Sequence, residues 1–208
     1  MSNSHTLKDP NKLQEIAREC RVDILKMLSH AASGHPGGSL SVIDIIVTLF
    51  FSEIQMDPKN PNWEDRDRFI LSKGHGVPAL YAVLSKLGII PKEELMTLRR
   101  IDSRLQGHPD RHLLPVVEAS TGSLGQGLSI AQGVAMGLKL QKKSSRVFCV
   151  LGDGETQEGQ IWETALSAPK FKLDNLIVFI DNNNGQIDGH VEQVMDIEPL
   201  AEKWRSFR

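Results

Sequence analysis

Two short apolar runs separated by a segment of helical spacing form the clearest pattern in the chain. The runs cover residues 147–151 and 176–180, and each ends in a polar turn that contains glycine. This pattern predicts a βαβ unit with two buried parallel strands. The first turn contains Gly152-Asp153-Gly154, and the second runs from Asp181 to Gly185. We expect both turns at the carboxyl edge of the sheet, where open α/β folds bind ligands.

The remaining periodicity predicts a helical region followed by further α/β structure. Helices are expected over residues 10–31, 41–51, 78–87, 91–101 and 126–141, with one more short strand over residues 68–71. Residues 33–39 are expected to form a tight loop. We predict a flexible tail over residues 1–8 and one α/β domain over residues 9–208, with a parallel sheet flanked by helices. That domain looks truncated at its C-terminal end, because no further strand follows residue 180.

Composition and charge limit the kinds of partner. The sequence is 40 % hydrophobic and 24 % charged with a net charge of −2, which gives no electrostatic reason to expect nucleic acid or an anionic membrane. Cys20 and Cys149 fall in apolar patterns, so we expect core thiols in a reducing compartment. No apolar run is expected to approach the roughly 18 residues of a membrane span, and a cytoplasmic location follows.

The two turns carry the ligands that a hard cation prefers. Asp153, the side-chain amide of Asn183 and the backbone near Gly185 all offer oxygen atoms, which suit a Mg²⁺ that keeps positions free for phosphate oxygens. Gly154 leaves room for a phosphate to approach the backbone before a helix N-terminus. The alternative is an ordinary strand–turn–helix with an N-capping aspartate, followed by an asparagine-rich turn. The asparagine cluster after a second buried strand favours a Mg²⁺-held diphosphate.

Three histidines, His35, His75 and His108, lie in glycine-flanked turns. An imidazole can donate to phosphate oxygens and can exchange protons near neutral pH, so these turns are candidate contacts to a ligand. The other four histidines are expected to be structural or surface residues: His5, His30, His112 and His190.

A row of small residues at every fourth position, Gly125, Ser129, Gly133 and Gly137, allows another helix to approach closely. Such a row is compatible with tight packing inside one protomer and with a helix across a dimer interface.

The motifs together resemble those of one enzyme family. Gly152-Asp153-Gly154 and Asn182-Asn183, at their separation, are similar to the thiamine diphosphate signature. The strings SGHPGGS, DRFILSKGHG, QGHPD and TGSLGQG narrow the resemblance to the transketolases, over residues 11–205. The resemblance implies the thiamine-diphosphate-binding fold, in its diphosphate-binding domain. It also implies a transferase that moves a two-carbon ketol unit from a ketose phosphate to an aldose, with Mg²⁺ or another divalent cation such as Ca²⁺ or Mn²⁺.

The same resemblance implies roles for individual residues. The metal ligands would be Asp153, Asn183 and the main-chain carbonyl of Gly185. The cofactor-binding residues would be His75 at the diphosphate, Gly122, Ser123 and Leu124 at the aminopyrimidine, and Gly154 and Asn183 beside the metal. The catalytic residues would be His35, His108 and Glu158. Ser123 stands where the family has proline, and Gly185 where it has a bulkier apolar residue; backbone contacts tolerate both changes.

Glu158 and Glu163 allow two interpretations. Acidic side chains near a helix start favour the helix dipole without any further function. The family uses acidic residues at these positions to link two active sites.

No part of the chain resembles the pyrimidine-binding domain, which in the family supplies the glutamate that activates the cofactor. The resemblance therefore implies a partner, a C-terminal transketolase subunit carrying that domain, in a dimer or heterotetramer that acts on sugar phosphates. Other thiamine diphosphate enzymes, similar to 1-deoxyxylulose-5-phosphate synthase or to 2-oxo acid decarboxylases, are alternatives, as is a truncated non-catalytic binding homologue. A Mg²⁺ phosphohydrolase is the weakest alternative, because we expect no second carboxylate beside Asp153 in the first turn.

Overall fold

The computed structural model describes residues 7–207, which form two compact units. Within the described residues, the first unit comprises residues 7–67 and Gly74–Ser120, and the second comprises Arg68–Lys73 and residues 121–207. The single domain over residues 9–208 stays a prediction. Of the predicted tail, residues 1–6 lie outside the described residues, and the Leu7 N–H donates to the Phe51 carbonyl at 2.8 Å.

Three helices build the first unit: α1 (Pro10–Ala31), α2 (Pro36–Thr48) and α3 (Val77–Lys86). A π-helical turn, Leu49–Glu53, continues α2, and 3₁₀ turns cover Gly74–Gly76 and Lys92–Thr97. Helix α1 begins as predicted, because Asp9 Oδ1 accepts the Asn11 N–H at 3.0 Å and Pro10 occupies the first helical position. The three helices contact one another and bury an apolar core that includes Cys20, Ile24, Met27, Val42, Ile43, Ile46, Tyr81 and Val83.

Two predicted helices in this unit have different bounds. Helix α2 begins at Pro36, inside the predicted loop, because proline fixes a helical φ and the Ser39 hydroxyl donates to the His35 carbonyl at 2.9 Å. The helix predicted over residues 91–101 is only the short 3₁₀ turn Lys92–Thr97.

The expectation that no apolar run approaches a membrane span was also wrong. Pro36–Glu53 is an 18-residue helical stretch that is long and apolar enough to cross a membrane by length and composition only. Its side chains Val42, Ile43 and Ile46 are buried in the core of the first unit.

A three-stranded parallel sheet forms the centre of the second unit. Strand β2 (Val147–Gly152) lies between β1 (Arg68–Leu71) and β3 (Leu176–Asp181). Gly152 pairs with Asp181, so the turns after β2 and β3 leave the same edge of the sheet. Helices α4 (Gln126–Leu140) and α5 (Gly159–Lys170) contact each other, and α4 packs on β2. The predicted βαβ unit and the predicted α/β fold class are confirmed.

The chain after β3 contains a small hairpin that the sequence did not predict. Strands β4 (Gly185–Gln186) and β5 (Gly189–His190) pair in antiparallel fashion, and two short helices follow, α6 (Val191–Val194) and α7 (Leu200–Ser206). This segment has its own apolar cluster, formed by Val191, Ile197 and Leu200 with Trp162, Ile180 and Trp204 packed against it. The Val191 N–H donates to the Asn184 carbonyl at 3.3 Å, which connects this segment to the turn that carries the asparagines.

Both cysteines are buried free thiols, as predicted. Burial raises the pKa of Cys20 to about 12 and also raises the pKa of Cys149. The two thiols therefore stay protonated and serve as core side chains.

The row of small residues on α4 divides into two halves. Ser129 Oγ lies 3.0 Å from Thr164 Oγ1, and a Cβ on Gly125 would approach Glu158 Cβ to 2.8 Å, so the first half packs against α5 within the unit. A Cβ on Gly133 or Gly137 would meet no atom within 4 Å. The interpretation as a dimer interface stays a prediction for that second half.

Candidate functional site

Asp153 lies where β2 ends, and it connects the two polar turns of the second unit. Its side chain is buried, with only 2 % of the residue exposed. Oδ1 accepts the N–H of Gly154 at 2.8 Å, and Oδ2 accepts the N–H of Asn184 at 2.5 Å. Asp153 is thus the N-cap of the following 3₁₀ turn, as the simpler interpretation expected, and it also contacts the asparagine cluster after β3.

Asn183 is exposed and directly precedes Asn184, and it shapes the turn that follows. Its Oδ1 accepts the N–H of Gly185 at 2.8 Å, which closes a local side-chain turn. Asn184 has a left-handed backbone with φ of 54°, a conformation that asparagine tolerates well. The turn thereby places the Asn183 amide and the Gly185 backbone directly beside the residue that binds Asp153.

The chemistry of these groups fits a hard divalent cation. A carboxylate offers about four lone-pair positions, and the two backbone N–H groups occupy two of them on Asp153. Among the described residues no lysine, arginine or histidine pairs with this buried carboxylate, so its charge is left for another cation to balance. Over residues 7–207, no group of three or more His, Cys, Asp or Glu side chains is arranged to hold a metal ion. The predicted set needs only one carboxylate, together with an amide and a carbonyl oxygen.

A second acidic residue, Glu155, lies in the first turn after Asp153, which corrects the expectation that no carboxylate would be there. Its Oε1 accepts the Ser72 hydroxyl at 2.5 Å and the Gly125 N–H at 2.9 Å, and its Oε2 accepts the Gly152 N–H at 3.0 Å. Burial raises its pKa, although these three donors and the Lys73 charge oppose that effect. Glu155 therefore connects neighbouring segments of the second unit through its hydrogen bonds and does not serve as a second metal ligand.

Glu155 connects the turn after β2, which contains Asp153, to the turn that precedes α4, where Gly122, Ser123 and Leu124 lie. The Thr121 hydroxyl donates to the Leu71 carbonyl at 2.6 Å, which ties this second turn to the end of β1. Gly122 has a φ of 137°, which L-residues rarely adopt, so glycine is required there. Within the second unit, Glu155 thus holds the predicted aminopyrimidine turn and the predicted metal turn together.

An ion pair is buried behind the same sheet edge. Lys73, which follows Ser72 after β1, and Asp181, at the end of β3, are joined by an Nζ–Oδ2 contact of 2.6 Å. Their side chains are only 1 % and 7 % exposed. The Asp181 carbonyl also accepts the Asp153 N–H at 3.3 Å, so the pair fixes the backbone from which Asp153 projects.

Glu158 and Glu163 are both exposed at α5. Glu158 is the N-cap residue of α5 and makes no side-chain capping hydrogen bond. Either interpretation of these residues therefore stays open in the single chain.

The three predicted histidines come together in the first unit. The ring centroids of His35 and His75 are 5.7 Å apart, and those of His35 and His108 are 6.2 Å apart. Partial burial of the ring lowers the pKa of His108, and the charges of Arg99 and His35 lower it further. At neutral pH this ring is biased towards the neutral imidazole, which can both accept and donate a hydrogen bond. Of the other histidines, His30 contacts Arg100 at the surface and His112 is exposed.

Sequence reasoning missed Glu155, Lys73 and Asp181 as part of this site. The available signal was that all three charged residues stand at, or within three residues of, the end of a strand, because a charged residue that is buried there needs a partner.

Comparison with known proteins identifies the family. The model of the family described as "Transketolase, thiamine diphosphate binding domain" matches residues 12–208. A 6-deoxy-6-sulfo-D-fructose transketolase subunit from Clostridium sp. (strain MSTE9) is 44 % identical over 195 residues, which cover 94 % of this chain and 71 % of that protein. An apulose-4-phosphate transketolase subunit from Actinobacillus succinogenes is 39 % identical over 198 residues, covering 95 % of this chain and 72 % of the relative.

Comparison with solved structures indicates the same family. The transketolase from Leishmania mexicana superimposes with a TM-score of 0.88 and 29 % identity, covering 98 % of this chain and 31 % of that one. The transketolase from Campylobacter jejuni gives a TM-score of 0.87 and 36 % identity, covering 94 % of this chain and 32 % of that one. The chain thus spans about a third of the solved transketolases. It belongs to the transketolase family and corresponds to the thiamine diphosphate binding domain of that family.

Proposed function

We propose that this chain is the cofactor-binding subunit of a transketolase and works with a second, C-terminal subunit that carries the pyrimidine-binding domain. Together the two chains would transfer a two-carbon ketol unit from a ketose phosphate to an aldose. The names of two relatives support the division of labour, because both are transketolase subunits. The single observation that carries the proposal is the buried Asp153 carboxylate, which lies against the asparagine turn after β3.

Asp153, Asn183 and the carbonyl of Gly185 would hold Mg²⁺ or a similar divalent cation. All three provide oxygen, and the remaining coordination positions would be free for diphosphate oxygens. Asp153 is fixed by two backbone donors, so its oxygens need little reorganisation when a cation binds.

Gly154, His75 and the turn Gly122–Leu124 would hold thiamine diphosphate. When bound, this cofactor supplies the carbon nucleophile that carries the two-carbon unit. A Cβ on Gly154 would lie 3.2 Å from Gln186 Oε1, so glycine keeps this approach to the metal turn open. The backbone of Gly122 and Ser123 would contact the aminopyrimidine, and the Leu124 side chain would support the cofactor.

His35 and His108 would hold the hydroxyl groups of the sugar and move protons at them. Their ring centroids lie 6.2 Å apart, so one polyhydroxylated substrate can contact both imidazoles. A sugar also suits this pair better than a simple 2-oxo acid, which has fewer hydroxyl groups to bind. Glu158 would take part in the link between active sites once the chains assemble as a dimer or heterotetramer, in the cytoplasm.

Calorimetry of thiamine diphosphate binding tests the proposal. We expect the cofactor to bind to the mixture of this chain and its companion when Mg²⁺ is present, and to lose that binding when EDTA removes the cation. The isolated chain is measured in parallel, since the companion supplies the other half of the cofactor site. Absence of binding under every condition, with both chains folded, would instead indicate a non-catalytic homologue.

A further inference from the structure

Arg99 lies between two turns of the first unit that share the sequence Gly-His-Pro. A Cβ on Gly107 would come within 2.6–2.8 Å of three guanidinium atoms of Arg99, so the guanidinium lies directly against that turn. Towards the other turn, a Cβ on Gly34 would lie 3.8 Å from Nε, and Nη1 donates to Ser33 Oγ at 3.0 Å. One side chain therefore contacts the segments that carry both His35 and His108.

The backbone holds Arg99 in an uncommon conformation. Its φ is +59°, in the left-handed region that costs an L-residue about 1–2 kcal/mol. The Arg99 N–H donates to the Leu105 carbonyl at 2.9 Å, and the neighbouring side chains of Leu98 and Leu105 are buried. A non-glycine residue is kept in such a conformation only where the surrounding structure enforces it, so the backbone at Arg99 is held by its neighbours.

The charge of Arg99 also affects the histidines. Partial burial of the ring is the largest effect that lowers the pKa of His108, and the charges of Arg99 and His35 lower it further. Asp110 lies on the same segment as His108 and accepts the N–H of His112. His75 faces His35 from the turn before α3. Arg99 is thus the fixed cation of this cluster.

We propose that Arg99 is a positioning residue that sets the separation of the two Gly-His-Pro turns and keeps His35 and His108 facing one substrate. This role rests on the proposed function, because it assigns Arg99 to the substrate-binding histidines of that reaction. The neighbouring Arg100 is the natural contrast. Arg100 is exposed and contacts His30 instead, with an Nη2–Nε2 distance of 2.7 Å.

Titration of the histidine Cε1–H signals by NMR tests the role on the chain itself. We expect Arg99→Met to raise the pKa of His108 and to shift the signals of both His35 and His108. Arg99→Lys should keep the pKa of His108 near its wild-type value, because the positive charge stays, while the signals still shift because the contact with Ser33 is lost. Arg100→Met should move only His30. Unchanged His35 and His108 signals in folded Arg99→Met, or equal shifts in Arg100→Met, would overturn the proposal.

Activity with the companion chain gives a second readout. We expect kcat of Arg99→Met to fall about tenfold or more, since misplacing a positioned group by about 1 Å can cost a factor of 100, while cofactor affinity stays at the wild-type value. Partial recovery in Arg99→Lys and wild-type kcat in Arg100→Met support the role. Wild-type kcat in Arg99→Met contradicts it. If the wild-type mixture shows no turnover, the proposed function fails, and the NMR titration still decides whether Arg99 sets the histidine geometry.

Discussion

Replacing Asp153 with alanine should weaken Mg²⁺-dependent binding of thiamine diphosphate by at least about 100-fold, equivalent to roughly 2.7 kcal/mol. The change removes the only charged ligand of the predicted metal set. It also leaves the N–H groups of Gly154 and Asn184 without their acceptor, and each such loss costs about 1–3 kcal/mol when the group is buried. Both effects act on the same turn, so the metal site loses its charge and its geometry together.

The measurement is a calorimetric titration of cofactor into the mixed chains at saturating Mg²⁺. Asp153→Asn separates the two effects, because it keeps the size of the side chain and one acceptor oxygen but removes the charge. Asp188→Asn is the matched control, since Asp188 is exposed in the turn of the β4–β5 hairpin and should bind cofactor like the wild-type chain. Wild-type affinity in folded Asp153→Ala would rule out Asp153 as the metal ligand.

The Lys73→Met variant should lose about 3–5 kcal/mol of unfolding free energy, because it leaves the buried Asp181 carboxylate without its ammonium partner. Lys139→Met is the matched control. Lys139 pairs with Asp174 at 2.6 Å, but these side chains are 37 % and 86 % exposed, and such surface pairs contribute about 0–1 kcal/mol.

Urea unfolding of the wild-type chain, Lys73→Met and Lys139→Met, followed by far-UV circular dichroism, gives these differences in unfolding free energy. The double variant Lys73→Met/Asp181→Leu should recover much of the loss, since two apolar side chains can replace a buried ion pair at little cost. A loss in Lys73→Met no larger than that in Lys139→Met would show that the buried pair does not stabilise the sheet edge.

The βαβ unit could be predicted because its signal is local. Apolar runs of strand length around one amphipathic helix specify a parallel pair, and the carboxyl ends of parallel strands share an edge. The structure brings Asp153 to the asparagine turn as this reasoning expects, with Asn184 as the direct partner. The roles of His35, His75 and His108 came from the resemblance to a family, because no pattern of spacing shows that three distant turns meet.

The pairings within the buried polar network could not be predicted, because the partners are far apart in sequence. The Ser72 side chain contacts Glu155, and Lys73, which follows β1, contacts Asp181 at the end of β3. Local propensity carries no information about such contacts. The bounds of α2 were missed for a different reason: the glycines of the SGHPGGS string indicate a loop, whereas Pro36 and Ser39 already form the first turn of the helix.

Ketol transfer by the mixed chains is the most direct measurement of whether this chain is one half of a transketolase. The wild-type chain, its companion with the pyrimidine-binding domain, thiamine diphosphate and Mg²⁺ are combined with a ketose phosphate donor and an aldose acceptor. We predict turnover by the mixture and none by either chain alone, because under this proposal the residues that hold the metal and the group that activates the cofactor would lie on different chains. No transfer by the folded, cofactor-saturated mixture, or full transfer by this chain alone, would contradict that division.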